Sequence, residues 1–488
     1  MAPRVALAAI PESGRRTLGL LVELGGADRP LWLVGGAVRQ LLAAEPLDDL
    51  DVAVRSGALA LGRQLADRMG ASFVVLDESR GAGRIVGAEV GLPVDLVDFR
   101  APTLEGDLRA RDFTVNALAV PLADVLRDGS AEVTDATGGV GDLGDRVVRL
   151  CGPSAIVDDP VRALRGVRLA MREGWRLEPG TEAAIRTGAP LLAHVSAERV
   201  RDELVGILGE PRAAAGLRML DRLGALTVLL PESAAMRATS QPLPHRFDVW
   251  EHSIRTVEGV DLLLSDLDAL APWGVALRAH LGEALGGGIS RRETLRLAAL
   301  LHDVAKPETR TEQGGRVHFF GHDAAGALRT GAIAERLRLP RRASQVLERL
   351  VGEHLRPMHL AQAGQITRRA RFRFFRDLGE DASDLLLLAL ADAAALTGGS
   401  PLAVWVAEGG TVVRELMAGA EEAVAAATTP PLLRGQEVME AFHLPPGPAV
   451  GRLLGRAREA QALGLVTTRE EALDYLRRGG VADADADA

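Results

Sequence analysis

The chain has 488 residues, 47% of them apolar, and a formal charge of −9 at pH 7. A single hydrophobic core stops growing well before this length, so several domains are expected. Aromatics at 3% favour helices over a β-rich sandwich or barrel, and the negative charge argues against a protein that coats nucleic acid non-specifically, while leaving room for a local basic groove.

The single cysteine, Cys151, permits neither an internal disulfide nor a thiolate cluster, so a bound metal must be held by histidine and carboxylate. No apolar run approaches the roughly 20 residues that span a bilayer, and the N-terminus lacks a basic segment followed by an apolar core. A cytoplasmic protein with no membrane partner is expected. Lys306 is the only lysine, a bias that fits the base composition of the genome or, alternatively, a demand for bidentate phosphate contacts.

In chain order, residues 31–34 (LWLV) form a short apolar run stopped by Gly35 and Gly36, after which AVRQLLA has helical spacing. Strand, tight turn and helix follow one another, and such a turn lets backbone N–H groups approach a triphosphate. Strand-like runs continue at 50–54, 73–76, 83–90 and 93–99 and make one sheet. Asp49 and Asp51 are two residues apart, a spacing that turns both carboxylates to one face and lets them share divalent ions. A lone Asp-x-Asp reads as a solvated strand edge. With Asp95 in another strand-like run, three convergent acids read as a metal cage for phosphoryl transfer.

From about residue 155 the strand signal disappears, and amphipathic patterns such as VRALRGVRLAMRE and AERVRDELVGIL predict an all-α remainder. Asp159 and Arg162 fall at i and i+3 of a predicted helix, hence on one face, where they offer one acceptor beside a fork of donors. That edge matches cytosine and adenine, whose amino groups lie beside a ring acceptor, and leaves uracil and guanine with unpaired groups. An isolated Asp-x-x-Arg would be a surface ion pair. At about 100° per residue, Arg168 should face nearly opposite Asp159.

Proline-bearing loops at 231–244 and 428–431 mark boundaries, and most of the ten histidines lie between them. His302-Asp303 sits in the apolar context RLAALLHDVAKP, where burying either group unpaired is costly. With His252, His322, His354 and Asp392 the set offers four histidines and two carboxylates, which suits borderline metal ions; a single such histidine would be a satisfied core residue. The run ITRRARFRFFRD mixes five arginines with three phenylalanines. Both phosphate and base binding and a plain amphipathic helix fit it. The end, VADADADA, predicts a disordered tail.

LVGGAVRQLL and DDLDVAV, then RARDFTVNALAV, DATGGVGDL, DDPVRALRGVRLA and SAERVRDEL, resemble in that order the class II tRNA nucleotidyltransferase and poly(A) polymerase superfamily. The resemblance implies an α+β chain: a nucleotidyltransferase α/β head at 1–150, an all-α neck at 151–230 with the base-reading motif, a helical HD domain at 245–400, a helical tRNA-binding C-terminal body at 401–478 and the tail at 479–488. It implies Mg²⁺ held by Asp49 and Asp51 with Asp95 as third catalytic acid. It implies NTP binding by Gly35, Gly36, Arg39, Arg111, Asp159, Arg162, Arg165 and Arg168, with tRNA and CTP as partners, and ATP in addition if the complete CCA end is made.

The histidine series, followed by Lys306 and Pro307, resembles HD-superfamily phosphohydrolases. That likeness implies a divalent metal of unassigned identity on His252, His302, Asp303, His322, His354 and Asp392, acting on terminal or 2′,3′-cyclic phosphates; a degenerate helical scaffold is the alternative. Gln40, Ala110 and Asp158 depart from the family motifs without removing a metal ligand. The segment joining Asp98 to Arg111 is far shorter than in CCA-adding members. In the family a long loop there accompanies the switch from C to A addition, so the resemblance implies CMP addition, as CC. Complete CCA addition, a poly(A) polymerase, and an HD-type phosphodiesterase with an RNA-binding N-terminal half are the other readings.

Overall fold

The structure is a computed structural model that describes residues 3–172, 174–407, 410–420, 425 and 429–479. Residue 428 of the second proline loop, and the expected tail from 480 onward, lie outside the described residues. The chain divides into two compact units, 1–203 with 219–229 and 204–218 with 230 onward.

The first unit is built on a seven-stranded mixed sheet. Its strands are β1 (Leu31–Val34), β2 (Leu50–Val54), β3 (Ser72–Asp77), β4 (Ala82–Val86), β5 (Val94–Asp98), β6 (Leu118–Pro121) and β7 (Thr134–Asp135). They lie in the order β3-β4-β5-β2-β1-β6-β7. Only the β2–β5 pair is parallel; the other neighbours are antiparallel. The period of two decides the faces. Leu50, Val52 and Val54 of β2, with Val94 and Leu96 of β5, point into the larger apolar cluster beneath. Asp51 and Asp95, at the alternate positions, therefore emerge together on the other face, where Ala53, Val34 and Ala119 make a smaller cluster. Helix α1 (Gly35–Leu42) follows β1 without a break, as its glycines predict.

The remainder is helical as expected, with three short ladders added: Val147–Val148 pairs in parallel with Arg176–Leu177, and short hairpins form at Ala284–Gly286 with Ile289–Ser290 and at Thr311–Gln313 with Arg316–His318. These ladders are two or three residues long and carry no sustained alternation, so periodicity could not register them. One reading of the sequence is corrected: Asp159 and Arg162 do not share a helix. Helix α2 begins at Arg162 and runs to Ala170, while Asp159 is extended at φ −155° and ψ 94°. Pro160 is the reason, since its ring disfavours the helical region for the residue before it.

The second unit carries α3 (Val249–Ser265), α4 (Arg291–Leu301), α5 (His322–Arg336), α6 (Arg341–Glu353), α7 (Arg368–Leu378) and α8 (Ala382–Thr397). The Asp248 carboxylate caps α3 by accepting from Glu251 N at 2.7 Å. Ser290 and Glu293 form a capping box at the start of α4, which fixes where that helix delivers His302 at its far end. Arg291, fully buried, is held by Glu283, Asp381 and Asp384 at 2.7, 2.8 and 3.0 Å, so its charge is compensated on three sides. In α7 the phenylalanines Phe372, Phe374 and Phe375 are buried, and Arg373 pairs outward with Glu459 at 2.8 Å. Of the two readings of that run, burial favours the amphipathic helix and leaves these rings no face for a base. Beyond it, α9 (Gly435–Phe442), α10 (Pro448–Ala462) and α11 (Arg469–Arg478) enclose their own small core of Val438, Leu453 and Leu476. No helix among the described residues is long and apolar enough to cross a membrane.

Two candidate metal centres and the family they belong to

Asp51 and Asp95 are direct register partners across the β2–β5 pair. Asp49 joins them from the entry to β2, and one oxygen of each of the three lies within 4.8 Å of the others. Gly36 N–H donates to Asp51 Oδ2 at 2.9 Å. Gly35 makes this approach possible: its φ is +68°, and a Cβ there would sit 2.8 Å from Asp51 Oδ2. Burial, and then Asp49, push Asp51 up to about 6; burial, and then Asp95, raise Asp49 as well. Acids arranged this way are short of positive charge, which a divalent cation would supply. The donor set, all carboxylate oxygen, suits a hard ion.

The acids open onto a cavity of about 560 Å³ lined by Gly35, Gly36, Arg39, Arg100, Arg111, Asp112, Asn116, Arg165 and Arg168. Asp107 takes Arg111 through Nε and a terminal nitrogen at 3.0 and 2.9 Å. Arg39 donates to Asn116 Oδ1. Arg165 spans Asp112 and Glu203, both at 3.0 Å, and Arg168 reaches Glu203 at 3.3 Å. Arg165 and Arg168 face the cavity, whereas Asp159 and Arg162 are not among its lining residues. Arg162 donates to the carbonyls of Ala110, Arg111 and Ala155. Asp159 Oδ2 takes Arg199 at 2.7 Å, while its buried Oδ1 has no hydrogen-bond partner among the described residues.

In the second unit, His302 and Asp303 follow α4, His252 lies on α3, His322 opens α5, His354 follows α6 and Asp392 lies on α8. They form two trios, His252–His302–Asp392 and Asp303–His322–His354. Asp303 faces both: Oδ2 is 3.2 Å from His302 Nε2 and 3.6 Å from His252 Nε2, and Oδ1 is 3.4 Å from His322 Nε2 and 3.7 Å from His354 Nε2. The Nδ1 atoms of His302, His322 and His354 lie 2.9, 2.7 and 2.7 Å from the carbonyls of Ala299, Phe319 and Val351. Those carbonyls accept the Nδ1 protons, so the Nε2 lone pairs turn inward, 3.3 Å apart in the His252–His302 pair and 3.2 Å in the His322–His354 pair. Burial, and then His302, push His354 down to about 4, which keeps that imidazole neutral at physiological pH. For His302 the depressing effect of burial is outweighed by Asp303, and the ring is raised. Imidazole nitrogens aimed at one another around a shared carboxylate fit a pair of divalent ions.

Family models match along the chain: the Poly A polymerase head domain at 31–149, a probable RNA and SrmB-binding site of polymerase A at 174–236, and the HD domain at 249–395. The A-adding tRNA nucleotidyltransferase of Deinococcus radiodurans is 37% identical over 455 residues, covering 91% of this chain and 94% of that one. The chain belongs to the tRNA nucleotidyltransferase family. It is an RNA nucleotidyltransferase that also carries an HD domain. The CC-adding tRNA nucleotidyltransferase of Thermus thermophilus is likewise 37% identical, over 92% of this chain and 93% of its own; that of Geobacter sulfurreducens is 31% identical over 92% and 91%. In fold, this tRNA nucleotidyltransferase matches the Thermotoga maritima CCA-adding enzyme complexed with tRNA, at a TM-score of 0.58 and 19% identity over 98% and 100% of the two chains. A CCA-adding enzyme with ATP matches at 0.63 and 18% over 97% and 96%.

Sequence reasoning missed three neighbours of these centres. Arg84 binds Asp95 through Nε and a terminal nitrogen at 2.6 and 2.7 Å; its strand carries no acid, so nothing in AGRIV marked it. Asp112, inside the RARDFTVNALAV motif, would be raised by burial, but Arg165 and the Phe113 N–H hold it at about 2. His245 stands edge-on to His252 with ring centroids 5.3 Å apart. Its place in the histidine-rich block was the available signal.

Proposed function

We propose that this chain transfers CMP from CTP to the 3′ end of tRNA at the Asp49–Asp51–Asp95 centre. The register of Asp51 against Asp95, beside a cavity edged by Arg39, Arg111, Arg165 and Arg168, carries the reading. Magnesium held by Asp49 and Asp51 supplies Lewis acidity at the α-phosphate and charge for the departing pyrophosphate. Gly35, Gly36 and the arginines bind and orient the triphosphate. Asp95 orients the RNA 3′-hydroxyl and accepts its proton as the bond to the α-phosphorus forms. The unpaired Oδ1 of Asp159 is an acceptor for an exocyclic amino group, which cytosine and adenine carry and uracil lacks.

The segment after β5 favours cytosine. Instead of a long loop it holds a six-residue helix, Leu104–Arg109, capped by Thr103. Asp107 ties that helix down by accepting from Arg100 N at 2.9 Å as well as from Arg111, so the base-reading edge has no free loop to reset it for a different base. The likeness to an A-adding enzyme favours A addition as the second reading. Single labelled nucleotides offered to tRNA ending at the discriminator base, at C and at CC separate them. CMP should enter the first two and nothing should enter the third. AMP on the CC-ended tRNA overturns addition that stops at CC, and no incorporation anywhere overturns transfer.

The second centre is proposed to hydrolyse terminal or 2′,3′-cyclic phosphates of RNA, on the strength of the Asp303 carboxylate shared between two ligand trios. His302→Ala should abolish opening of a 2′,3′-cyclic phosphate; unchanged opening refutes it.

A further inference from the structure

Phe320 is 70% exposed. Single exposed apolar side chains are ordinary and need no explanation, but this ring is not single: it lies flat on the imidazole of His318, with centroids 4.9 Å apart and planes 10° from parallel. His318 closes a hairpin whose shape is set by its turn, and Phe320 follows it by two residues. Gly314 and Gly315, at φ +59° and +71°, form the two-residue connection that a tight antiparallel pair requires. His318 is thereby placed opposite Thr311.

The pair hangs directly on the metal centre of the second unit. The carbonyl of Phe319 lies 2.7 Å from Nδ1 of His322, so the residue before Phe320 orients a metal-ligating ring. Lys306, 2.7 Å from Asp303 Oδ2, sits 5.6 Å from the centre of the Phe319 ring. Phe320 precedes His322 by two residues, which span at most about 7 Å of backbone. An exposed aromatic face, already backed by a second ring, thus stands beside the proposed phosphohydrolase centre. Arg316, also exposed, lies on the same strand two residues before His318 and so on the same face as it.

We propose that Phe320, backed by His318, is the stacking platform for the terminal nucleobase of the RNA whose phosphate is processed at the His252–His302–Asp303–His322–His354–Asp392 centre. The inference deepens the phosphohydrolase reading of that centre and rests on it. Stacking on an aromatic ring is tolerant of sequence, because every base has a π face. The platform therefore selects nucleotides over other phosphate esters without selecting one base.

The test compares cytidine 2′,3′-cyclic phosphate with glycerol 1,2-cyclic phosphate, which carries the same kind of ester and no base. In Phe320→Ala the KM for the cytidine substrate should rise by about tenfold, with kcat and KM for the glycerol substrate, bound metal and Tm unchanged. Phe320→Trp should restore the cytidine KM. No change on the cytidine substrate overturns the platform, and so does an equal loss on both substrates or a loss of metal, which would make Phe320 a structural prop. Wild-type protein that opens neither substrate with any divalent cation instead overturns the hydrolase reading itself, and with it this inference.

Discussion

Arg84 is the in-register cross-strand partner of Asp95 and takes both oxygens of its carboxylate, with a further contact to Asp49 Oδ2 at 3.4 Å. One guanidinium thus offsets the mutual repulsion of three acids whose ligand oxygens lie within 4.8 Å of one another, the electrostatic role that a divalent ion would take there. Arg84→Ala should therefore cost the cation-free protein about 1 kcal/mol, the scale of a half-exposed pair. Magnesium should also raise the Tm of the variant more than that of the wild type. Thermal denaturation with and without magnesium checks this; equal magnesium shifts in both proteins would assign Arg84 no part in compensating the acids.

Gly35→Ala tests the geometry rather than the charge. The backbone there has φ +68° and the added Cβ meets Asp51 Oδ2 at 2.8 Å, closer than such contacts tolerate. Asp51 must move or the turn must open, and the displaced carboxylate loses the Gly36 N–H. Nucleotide incorporation should fall by roughly a hundredfold, the scale of a displacement of about 1 Å at a reacting centre, while the left-handed strain costs only about 1–2 kcal/mol of stability. A variant that keeps more than half of the wild-type rate would show that the close approach does not matter.

The acids were legible in the sequence because a strand has only one way to turn residues two apart, and the histidines because so polar a set in apolar helices needs a common partner. What periodicity could not show was anything set between strands or at a junction. Arg84 owes its place to the register of β4 on β5, which no local pattern encodes. Asp159 left its predicted helix because of Pro160, a signal present in DDPVRAL but outweighed in the reading by the helical spacing around it. The aromatic pair His318–Phe320 depends on a hairpin whose three-residue strands are too short to read.

Asp112 links the cavity wall to stability. Burial alone would raise its pKa, yet Arg165, at 3.0 Å, and the N–H of Phe113, at 2.8 Å, hold it at about 2. Its folded value lies below that of an unfolded aspartate, so its contribution is present above about pH 4 and is lost as pH falls toward 2. The magnitude is about 2 kcal/mol. Asp112→Asn should be less stable than wild type by at least that much at pH 7, and the gap should close on acidification below pH 4. Urea midpoints across this range measure it; a gap that stays constant down to pH 2.5 would mean that Asp112 is not held ionised by its partners.

Asp303 divides its two oxygens between His252 and His302 on one side and His322 and His354 on the other, and this sharing makes the stoichiometry of bound metal a direct readout. Loss of a ligand common to two ions should empty both positions, whereas loss of a ligand on one side should empty one. Wild-type protein dialysed against buffered manganese or nickel should retain two ions per chain, Asp303→Ala none and His354→Ala one. Asp303→Ala also leaves Lys306 without the carboxylate 2.7 Å away, so its Tm should fall by several degrees even without metal, while His354→Ala, which removes a neutral ring, should lose less. Elemental analysis settles the count. One ion per chain in wild type, or one retained in Asp303→Ala, would mean that the trios do not share the carboxylate and that the centre holds its ions independently.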